Sequence, residues 1–437
     1  MRTGERRGIA QRLQSITDGA TLVPLAILFG LNAVDELDRA AFGVLLPNIR
    51  DHFGLDLTGV TILSAAIIPA SLLIGVPVAR LADRWKRMPL AISGAVMWGI
   101  FSVLTGLVPT VLLLGFARVG AGIGRAVNDP VHASLLSDYY APGVRTRVFG
   151  AHRAANTVGA FFGPLIAGFL AKAVGWRVPF IVLAIPTFIL IVLAVVLLRE
   201  PPRTGHRTVE GDVLLRRAFS MLWSVKTLRR IWFAFPFIAF VVIGLGQIMS
   251  LYYKDIFDVD EAGRGVIQAF DAPFIVIGLL VGTRIIDRNM AIDPGMIMRT
   301  IGKAVALVAI FVLGIALAPS LWVAVGFSYA INTLGTTLYA GGFAIVSLVS
   351  PPEARASAFA FFNVASLLGI VSLPFVGIVG DALGLRYGLA MLTPIILLGS
   401  AILASAGRFV NEDMRRVHPE GGDWEVMLPP SPPGPAE

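Results

Sequence analysis

The chain of 437 residues contains no cysteine, which excludes disulfide bonds and every site that depends on a thiolate. Charged residues are also scarce, because Asp, Glu, Lys and Arg make up 15% of the sequence, against about 25% in ordinary soluble domains. There are five scattered histidines and no cluster with metal-ligand spacing. The phosphate-binding pattern G-x-x-x-x-G-K-[ST] does not occur. The sequence therefore predicts neither an enzyme nor a metal site, and no cofactor is expected.

Hydrophobic residues are abundant instead, at 56% of the sequence, and the mean hydropathy is +0.78. They form repeated apolar runs of about 20 residues, the length that spans a bilayer as a helix. Glycines and prolines are scattered through these runs, which membrane helices tolerate because neighbouring helices satisfy the freed backbone groups. The first run is too long for a cleavable signal peptide and carries charges at its centre. These features predict an all-α polytopic membrane protein.

The apolar runs predict twelve transmembrane helices in two pseudo-symmetric halves of six. The predicted spans are 20–48, 57–80, 88–108, 110–138, 147–172, 177–198, 230–254, 262–286, 292–318, 320–349, 355–382 and 386–409. The predicted regions are an N-terminal segment (1–19), a first bundle (20–199), an interdomain segment (200–229), a second bundle (230–410) and a proline-rich tail (411–437).

Most lysines and arginines fall in loops on the side of the membrane that holds the N-terminus, and few fall in the opposite loops. This bias predicts a multi-pass protein of the cell (plasma) membrane with both termini cytoplasmic. Because the basic residues lie in loops, where they set the orientation of the protein in the membrane, they do not indicate a nucleic-acid partner, and none is expected. Within the interdomain segment, "LLRRAFSMLWSVKTLRR" is typical of a helix on the inner membrane surface or of a strap between the bundles. The tail "LPPSPPGPAE" either ends the protein or leads to another module.

The loop after the second span reads "ARLADRWKR". It resembles the loop signature of the major facilitator superfamily, G-x-L-A-D-R-x-G-R-R, with Ala79 and Lys86 in place of the glycines. A weaker echo, "GTRIIDR", lies at the corresponding place in the second half, as a duplicated repeat predicts. The alternative is an ordinary basic loop with a stray acid. The resemblance implies a cytoplasmic gate, for which the candidates are Asp83, Arg84, Arg87 and Arg118.

The fourth span reads "RVGAGIGRAVNDPVH" and places charged residues at spacings of three and four. Those spacings put them on one helical face. Charged residues inside a span are expensive and normally face the bundle interior or a water-filled cavity. This face comprises Arg118, Gly122, Arg125, Asp129 and His132.

The first span carries four charges within five positions, in "DELDR". Arg39 can neutralise only one of the three acids, and Arg125 lies at similar depth when the spans are counted from opposite faces. We expect Arg125 to be the second partner, so that a proton changes which carboxylate holds which arginine. The alternative is an ion pair that fixes helix packing. The predicted coupling and substrate site comprises Asp35, Glu36, Asp38, Arg39, Arg125, Asp129 and His132.

The fifth span reads "GAFFGPLIAG", which looks like the superfamily's antiporter pattern G-x-x-x-G-P-x-x-G-G with one glycine replaced by alanine. Small residues at this spacing allow close helix approach, although they are common in any membrane bundle. The residues concerned are Gly159, Gly163, Pro164 and Gly168.

Several first-half segments, among them "DRAAFGVLLPNI", "LADRWKR" and "REPPR", are similar to Spinster-like transporters. Where that family has N-x-x-D-R in the first span, this chain has Asp35 in place of the asparagine. Arg125 stands at a glutamate of the family's fourth span. The resemblance implies an amphiphilic, lipid-like substrate, and the charge exchange leaves its identity open. The first half also looks like actinobacterial facilitators fused to an ATP-binding cassette, which makes an ATP-binding module after the tail a possible partner.

The second half offers fewer polar residues within its spans. The cavity candidates are Gln247, Asp271, Tyr329, Asn332 and Asn363. The predicted function is a proton-coupled secondary transporter that moves a small amphiphilic or organic-anion substrate across the lipid bilayer by alternating access. The alternatives are a multidrug/H+ antiporter and a non-transporting membrane module, such as a sensor or the partner of an ATP-binding subunit.

Overall fold

The structure is a computed structural model that describes residues 16–66, 86–201, 215–243 and 245–417. Every regular element within these ranges is helical. In the first half of the chain, the helices are α1 (Val23–Phe53), α2 (Leu57–Ala66), α3 (Arg87–Leu107), α4 (Val111–Tyr139), α5 (Arg145–Val174) and α6 (Val178–Leu197).

Helix α1 extends five residues beyond the predicted span. It ends where Gly54 adopts a φ of +62° and its amide hydrogen-bonds back to the last turn. A residue without a Cβ occupies this left-handed conformation at little cost, so the glycine rather than the end of the apolar run sets the boundary.

Four predicted spans of the second half each consist of two consecutive helices. The helices of this half are α7 (Leu215–Ser224), α8 (Lys226–Ile243), α9 (Leu245–Phe257), α10 (Glu261–Ala269), α11 (Asp271–Ile292), α12 (Pro294–Ala316), α13 (Leu321–Val349), α14 (Arg355–Leu368), α15 (Ser372–Leu383), α16 (Leu385–Ala390), α17 (Leu392–Ala406) and α18 (Val410–Val417). The pairs are α8 with α9, α10 with α11, α14 with α15 and α16 with α17.

Within the described ranges, eight helical stretches are long and apolar enough to cross a membrane, and two shorter apolar helices accompany them. Helix α1 is longer than any bilayer requires, at 31 residues, but carries four charges near its middle. Taken with the predicted spans, this arrangement is the twelve-helix membrane fold expected from the sequence. The fold class is confirmed.

The same hydrogen-bonding arrangement, an arginine that donates to a carbonyl at a helix end, occurs at corresponding places in the two halves. After the fifth span, Arg177 donates from Nη2 to the Val108 carbonyl, 2.9 Å away at the end of the third span. After the eleventh span, Arg386 donates from Nη1 to the Ala318 carbonyl, 2.9 Å away just beyond the ninth. Each arginine follows a glycine with positive φ two positions earlier. The repeated geometry supports the predicted pseudo-symmetry.

The described chain forms two compact units that do not follow the sequence order. The first contains residues 16–55, 62–66, 86–201 and 253–272, and the second contains 56–61, 215–243, 245–252 and 273–417. Residues 253–272, which belong to the second half of the sequence, therefore pack within the first unit. The predicted bundle boundaries at 20–199 and 230–410 stay a prediction.

Close backbone contacts hold the helices of the first unit together. At Gly124 of α4, an added Cβ would lie 2.6 Å from the Gly94 carbonyl oxygen of α3. Trp98 is fully buried beside them and packs with Val34 of α1 and Ala121 of α4. Small residues let these backbones approach, and the large ring fills the space that remains. This packing fixes α4 against α1, where both carry charges.

Candidate functional site

Asp38 of α1 is completely buried and accepts three hydrogen bonds from two neighbouring helices. Ser102 of α3 donates to Oδ1 at 2.5 Å, and Arg118 and Arg125 of α4 each donate to Oδ2 at 3.0 Å. A buried carboxylate is tolerated only when it is paired and hydrogen-bonded, and Asp38 meets both conditions. Ser102 was absent from the sequence-based candidates, because a lone serine in an apolar span gives no periodic or motif signal.

Asp35 lies one turn before Asp38 on the same helix and is also buried. It accepts a short hydrogen bond from Nε of Arg125. Arg125 therefore bridges both carboxylates, through Nε to Asp35 and through Nη2 to Asp38. The structure thus brings together three of the residues that the sequence placed in one site.

Glu36 and Arg39 form a separate pair on α1 through a two-pronged hydrogen bond. The Arg39 side chain is 62% exposed, whereas that of Glu36 is 12% exposed. Arg39 is thus paired with Glu36, and Arg125 is paired with Asp35 and Asp38. In the described residues, neither Glu36 nor Arg39 is hydrogen-bonded to the buried cluster of Asp35, Asp38, Arg118 and Arg125.

Arg118 does not belong with the cytoplasmic gate, where the sequence analysis placed it. Its side chain is 3% exposed, is bonded to Asp38 and lies with its guanidinium carbon 4.5 Å from the Phe42 ring centre. The gate candidate Arg87 instead contacts Asp138, twenty residues farther along α4. At 1.5 Å per residue, that separation is about 30 Å along the helix. The assignment of Arg118 to the gate was therefore wrong.

Arg87 is buried at the start of α3 and contacts three polar side chains. It donates to Asp138 of α4, to Ser134 Oγ at 3.1 Å and to Glu200 Oε1 at 3.3 Å. The Glu200 carboxylate also accepts the backbone amides of Arg87 and Met88, at 3.0 and 2.7 Å, and so satisfies the free N–H groups at the helix start. The other two gate candidates, Asp83 and Arg84, lie outside the described residues.

The glycines of the antiporter-like segment bring α5 against α1. At Gly159, an added Cβ would lie 2.5 Å from the Ala33 carbonyl oxygen and from Glu36 Cβ, and at Gly163 it would lie 2.7 Å from the Leu37 carbonyl oxygen. The segment therefore packs directly against the charged stretch of α1.

Pro164 and Gly168, which lie farther along α5, contact helix α10. At Gly168, an added Cβ would collide with the Glu261 carbonyl oxygen of α10, and at Gly265 of α10 it would collide with the Pro164 carbonyl oxygen. The four small residues of the segment thus serve two contacts, one with α1 and one with α10, both inside the first unit.

A column of neutral polar side chains runs from Asp35 toward the N-terminal end of α1. Nδ2 of Asn32 donates to the His152 carbonyl at 3.2 Å and to Asn156 Oδ1 at 2.6 Å. Nδ1 of His132 lies 3.3 Å from Nε2 of His152, and both rings are buried. His132 therefore has a specific partner, which the sequence did not reveal, because His152 lies on another span. The side chain of Asp129 lies outside what the structure describes.

The opposite end of α1 is joined to residues 253–272 by polar contacts. Arg264, which is 1% exposed, donates to Asn48 Oδ1 at 2.6 Å, and Asn48 donates to Glu261 Oε1 at 2.5 Å. Arg50 makes a two-pronged bond with Asp255 at 2.6 and 2.8 Å. No sequence motif predicted this cluster.

The second-half candidates do not form a comparable charged cluster within the described residues. Tyr329 stacks on Phe274, with ring centres 4.5 Å apart, and Asn332 donates to the Ser328 carbonyl at 3.2 Å. Gln247 belongs to the same compact unit, whereas Asp271 begins α11 in the first unit. The side chain of Asn363 is outside the described set.

In the described part of the chain, no three His, Cys, Asp or Glu side chains are arranged to hold a metal ion. The site consists of two carboxylates, two guanidinium groups and the hydrogen bonds between them. Such a site can bind an ion, exchange partners and take up a proton.

The family model described as "Major Facilitator Superfamily" matches residues 28–338, well over half of the chain. The chain belongs to the major facilitator superfamily. Its family consists of polytopic membrane transporters rather than enzymes. The resemblance to the superfamily noted in the loop after the second span is thereby confirmed.

Among curated relatives, this superfamily member is 33% identical over 216 residues to the lincomycin resistance protein of Streptomyces lincolnensis. The matched region covers 47% of this chain and 42% of that protein. The chain thus spans less than half the length of this relative. It is 22% identical to protein spinster homolog 1 of Xenopus laevis, over 92% of the chain and 84% of that protein.

Among solved structures, the superfamily member is similar to a bacterial homologue of the human lysosomal transporter Spinster, described as inward-facing and unoccupied. The TM-score is 0.77 at 20% identity, and the match covers 89% of this chain and 97% of the other. The likeness confirms the fold.

Proposed function

We propose that this superfamily member is a proton-coupled secondary transporter of a small amphiphilic or organic-anion substrate, working by alternating access. The observation that carries the proposal is the bridge made by Arg125 between Asp35 and Asp38. Charged groups within a span are costly to keep and normally mark an ion or substrate pathway.

The buried cluster is neutral when all of its groups are ionised. It contains two carboxylates, Asp35 and Asp38, and two guanidinium groups, Arg118 and Arg125. A proton on Asp35 leaves the cluster with a net charge of +1 and removes one of the two acids that hold Arg125. Asp38 keeps its hydrogen bonds from Ser102 and Arg118. Arg125 is then able to bind an anion, so proton and anion binding favour each other by linkage.

Arg39 supports an anionic substrate group in a second way. Its side chain is largely exposed at the middle of α1, although a charge in a span is stable only next to water or a partner. We assign Arg39, paired with Glu36, to the first contact with the substrate's charged group. The apolar remainder of an amphiphile would lie against neighbouring hydrophobic side chains.

The Arg87 cluster supports the proposed gate. Because Arg87 ties the start of α3 to both α4 and Glu200, it can hold one arrangement of these helix ends and release it in another. In the proposed orientation, based on the Lys and Arg bias, this end is cytoplasmic and the protein lies in the cell membrane. Asp83 and Arg84 would complete the gate.

A multidrug/H+ antiporter is the second candidate function. It is supported by the close contact of the Gly159 and Gly163 segment with α1 and by the similarity to a lincomycin resistance protein. In that case a cationic substrate would compete with the proton for Asp35. The two candidates therefore differ in the sign of the coupling between proton and substrate.

The sign can be measured by thermal unfolding of the purified protein with two probes, the anion lysophosphatidylglycerol and the cation ethidium. The proposal expects lysophosphatidylglycerol to raise the unfolding temperature more at acidic than at alkaline pH, because ligands stabilise the state that binds them. A larger ethidium effect at alkaline pH would favour the antiporter.

Transport itself is tested in liposomes that contain the pure protein and the pH indicator pyranine. The proposal expects either probe to move together with, or in exchange for, protons in wild-type vesicles and not in Asp35→Asn vesicles. A folded wild-type protein that moves neither protons nor probe would support the non-transporting membrane module instead.

A further inference from the structure

Two buried polar side chains on α4 have hydrogen-bonding atoms without a partner in the described structure. Neither amide atom of Asn128 is hydrogen-bonded, and Nε2 of His132 is also without a partner. Asn128 is 2% exposed and His132 is fully buried. Buried polar groups are nearly always satisfied by protein or by ordered water, so these atoms require an occupant.

These atoms lie between the charged cluster and one end of the unit. Arg125, Asn128 and His132 are separated by three and four residues and therefore share a helical face. His132 is seven residues beyond Arg125, about 10 Å along the helix axis. On α1, Asn32 lies one turn from Asp35 in the same direction. Its side chain donates a hydrogen bond to the backbone carbonyl of His152. The unsatisfied atoms thus continue the site toward the N-terminal end of α1.

The His132 and His152 rings are positioned to pass a proton between them. Their facing nitrogens are 3.3 Å apart, and the rings are nearly perpendicular. An imidazole accepts a proton at one nitrogen while it donates from the other. No other pair of described histidines is in hydrogen-bond contact in the first unit.

We propose that the His132–His152 pair, extended by water held at Asn128, is the route by which protons reach and leave Asp35. The inference rests on the proposed proton coupling and names its pathway. One proton is taken up by the His152 ring. The proton on Nε2 of His152 passes to Nδ1 of His132, and the proton on Nε2 of His132 passes through water to the Asp35 carboxylate. One proton enters and one leaves, and the reverse tautomer change resets both rings.

Two arginines lie near the histidine pair. Arg153 on α5 acts electrostatically on His132, and Arg125 on α4 lies two turns away. Apolar residues of α3, including Ala91 and Ala95, pack on the adjoining face of α4.

The test is the rate at which Asp35 takes up a proton, followed by time-resolved infrared spectroscopy of the protein in lipid nanodiscs after a flash releases protons. The Asp35 band is identified by its loss in Asp35→Asn. In His132→Gln, and independently in His152→Gln, we expect uptake to slow by about tenfold or more, because an amide cannot relay protons. The midpoint of the slow pH titration of the band should be unchanged.

His52→Gln is the matched control, because His52 is exposed and contacts Arg177 at the opposite end of α1. It should leave the uptake rate unaltered. Wild-type uptake rates in either well-folded relay variant would overturn the inference while leaving the proposed function intact. If Asp35→Asn retains every titrating carboxyl band, the proposed function and the relay both fail.

Discussion

Arg118 and Asp38 form an ion pair in the interior of the first unit, with Nη1 and Oδ2 separated by 3.0 Å and side-chain exposures of 3% and 1%. Two charges this well buried are stable only together, because each alone would face a low-dielectric surrounding. The pair links α1 to α4 and, through Ser102, to α3. Among the three acids in the middle of α1, Asp38 thus pairs with both buried arginines, whereas Asp35 pairs only with Arg125.

Asp38→Asn should therefore destabilise the protein more than Asp35→Asn. Removal of one partner of a buried ion pair costs about 3–5 kcal/mol, whereas loss of one hydrogen bond to a charged group costs about 1.5–3 kcal/mol. Asp35→Asn leaves Arg125 bonded to Asp38. Thermal unfolding of both variants in the same detergent measures the order. A higher unfolding temperature for Asp38→Asn would contradict the assigned hierarchy.

Ser102→Ala should lower stability by about 1.5–3 kcal/mol, because the buried Asp38 carboxylate loses a hydrogen-bond donor. Ser93→Ala on the same helix is the control, since its hydroxyl donates only to the Leu90 carbonyl of the preceding turn. The comparison is made by thermal unfolding of both variants. Equal effects would show that the serine does not support the carboxylate.

Gly159→Val should disrupt the contact of α5 with α1, because its Cβ would overlap the Ala33 carbonyl and Glu36 Cβ. Gly150→Val, on the same helix, meets nothing within 4 Å and should be tolerated at ordinary helix-propensity cost. The yield of monodisperse protein and its unfolding temperature report the difference. If both variants behave alike, close packing at Gly159 is not what holds α5 in place.

Arg39→Gln should leave stability nearly unchanged, since an exposed ion pair contributes about 0–1 kcal/mol. If Arg39 meets the substrate's charged group, the same change should weaken binding of lysophosphatidylglycerol by about tenfold, the loss of one charge-assisted hydrogen bond. Isothermal titration in detergent provides the measurement. Unaltered affinity together with unaltered stability would remove Arg39 from the site.

The contact between Lys172 of α5 and Asp260, at the start of α10, should respond to acid. Hydrogen bonds from Lys172 Nζ at 2.6 Å and from the Gly263 amide hold the pKa of Asp260 below its usual range. A depressed folded pKa means that the stabilisation is present above the unfolded pKa and is lost as pH falls through the folded value. Stability should therefore decline on acidification in wild type, and less steeply in Asp260→Asn. Unfolding temperatures measured across the acidic range give the two slopes, and parallel slopes would refute the contribution.

The sequence by itself determined the twelve spans, because each requires about 20 apolar residues and that signal is local. It also indicated that Arg125 is at the right depth to meet the acids of α1, since depth follows from counting residues along antiparallel spans. Helix boundaries such as the one at Gly54 were harder to predict from the sequence, because a single residue with left-handed backbone overrides the apolar pattern.

Only the tertiary structure decided how the charges are shared. Three acids and three arginines allow several pairings, and the choice depends on which faces of α1, α3 and α4 meet. In that packing, Arg39 pairs with Glu36, Arg118 pairs with Asp38, and Arg125 pairs with both buried carboxylates. It also joined His132 to His152 and added Ser102, because side chains on different spans become neighbours only when the helices pack, and the spacing within any one span carries no record of it.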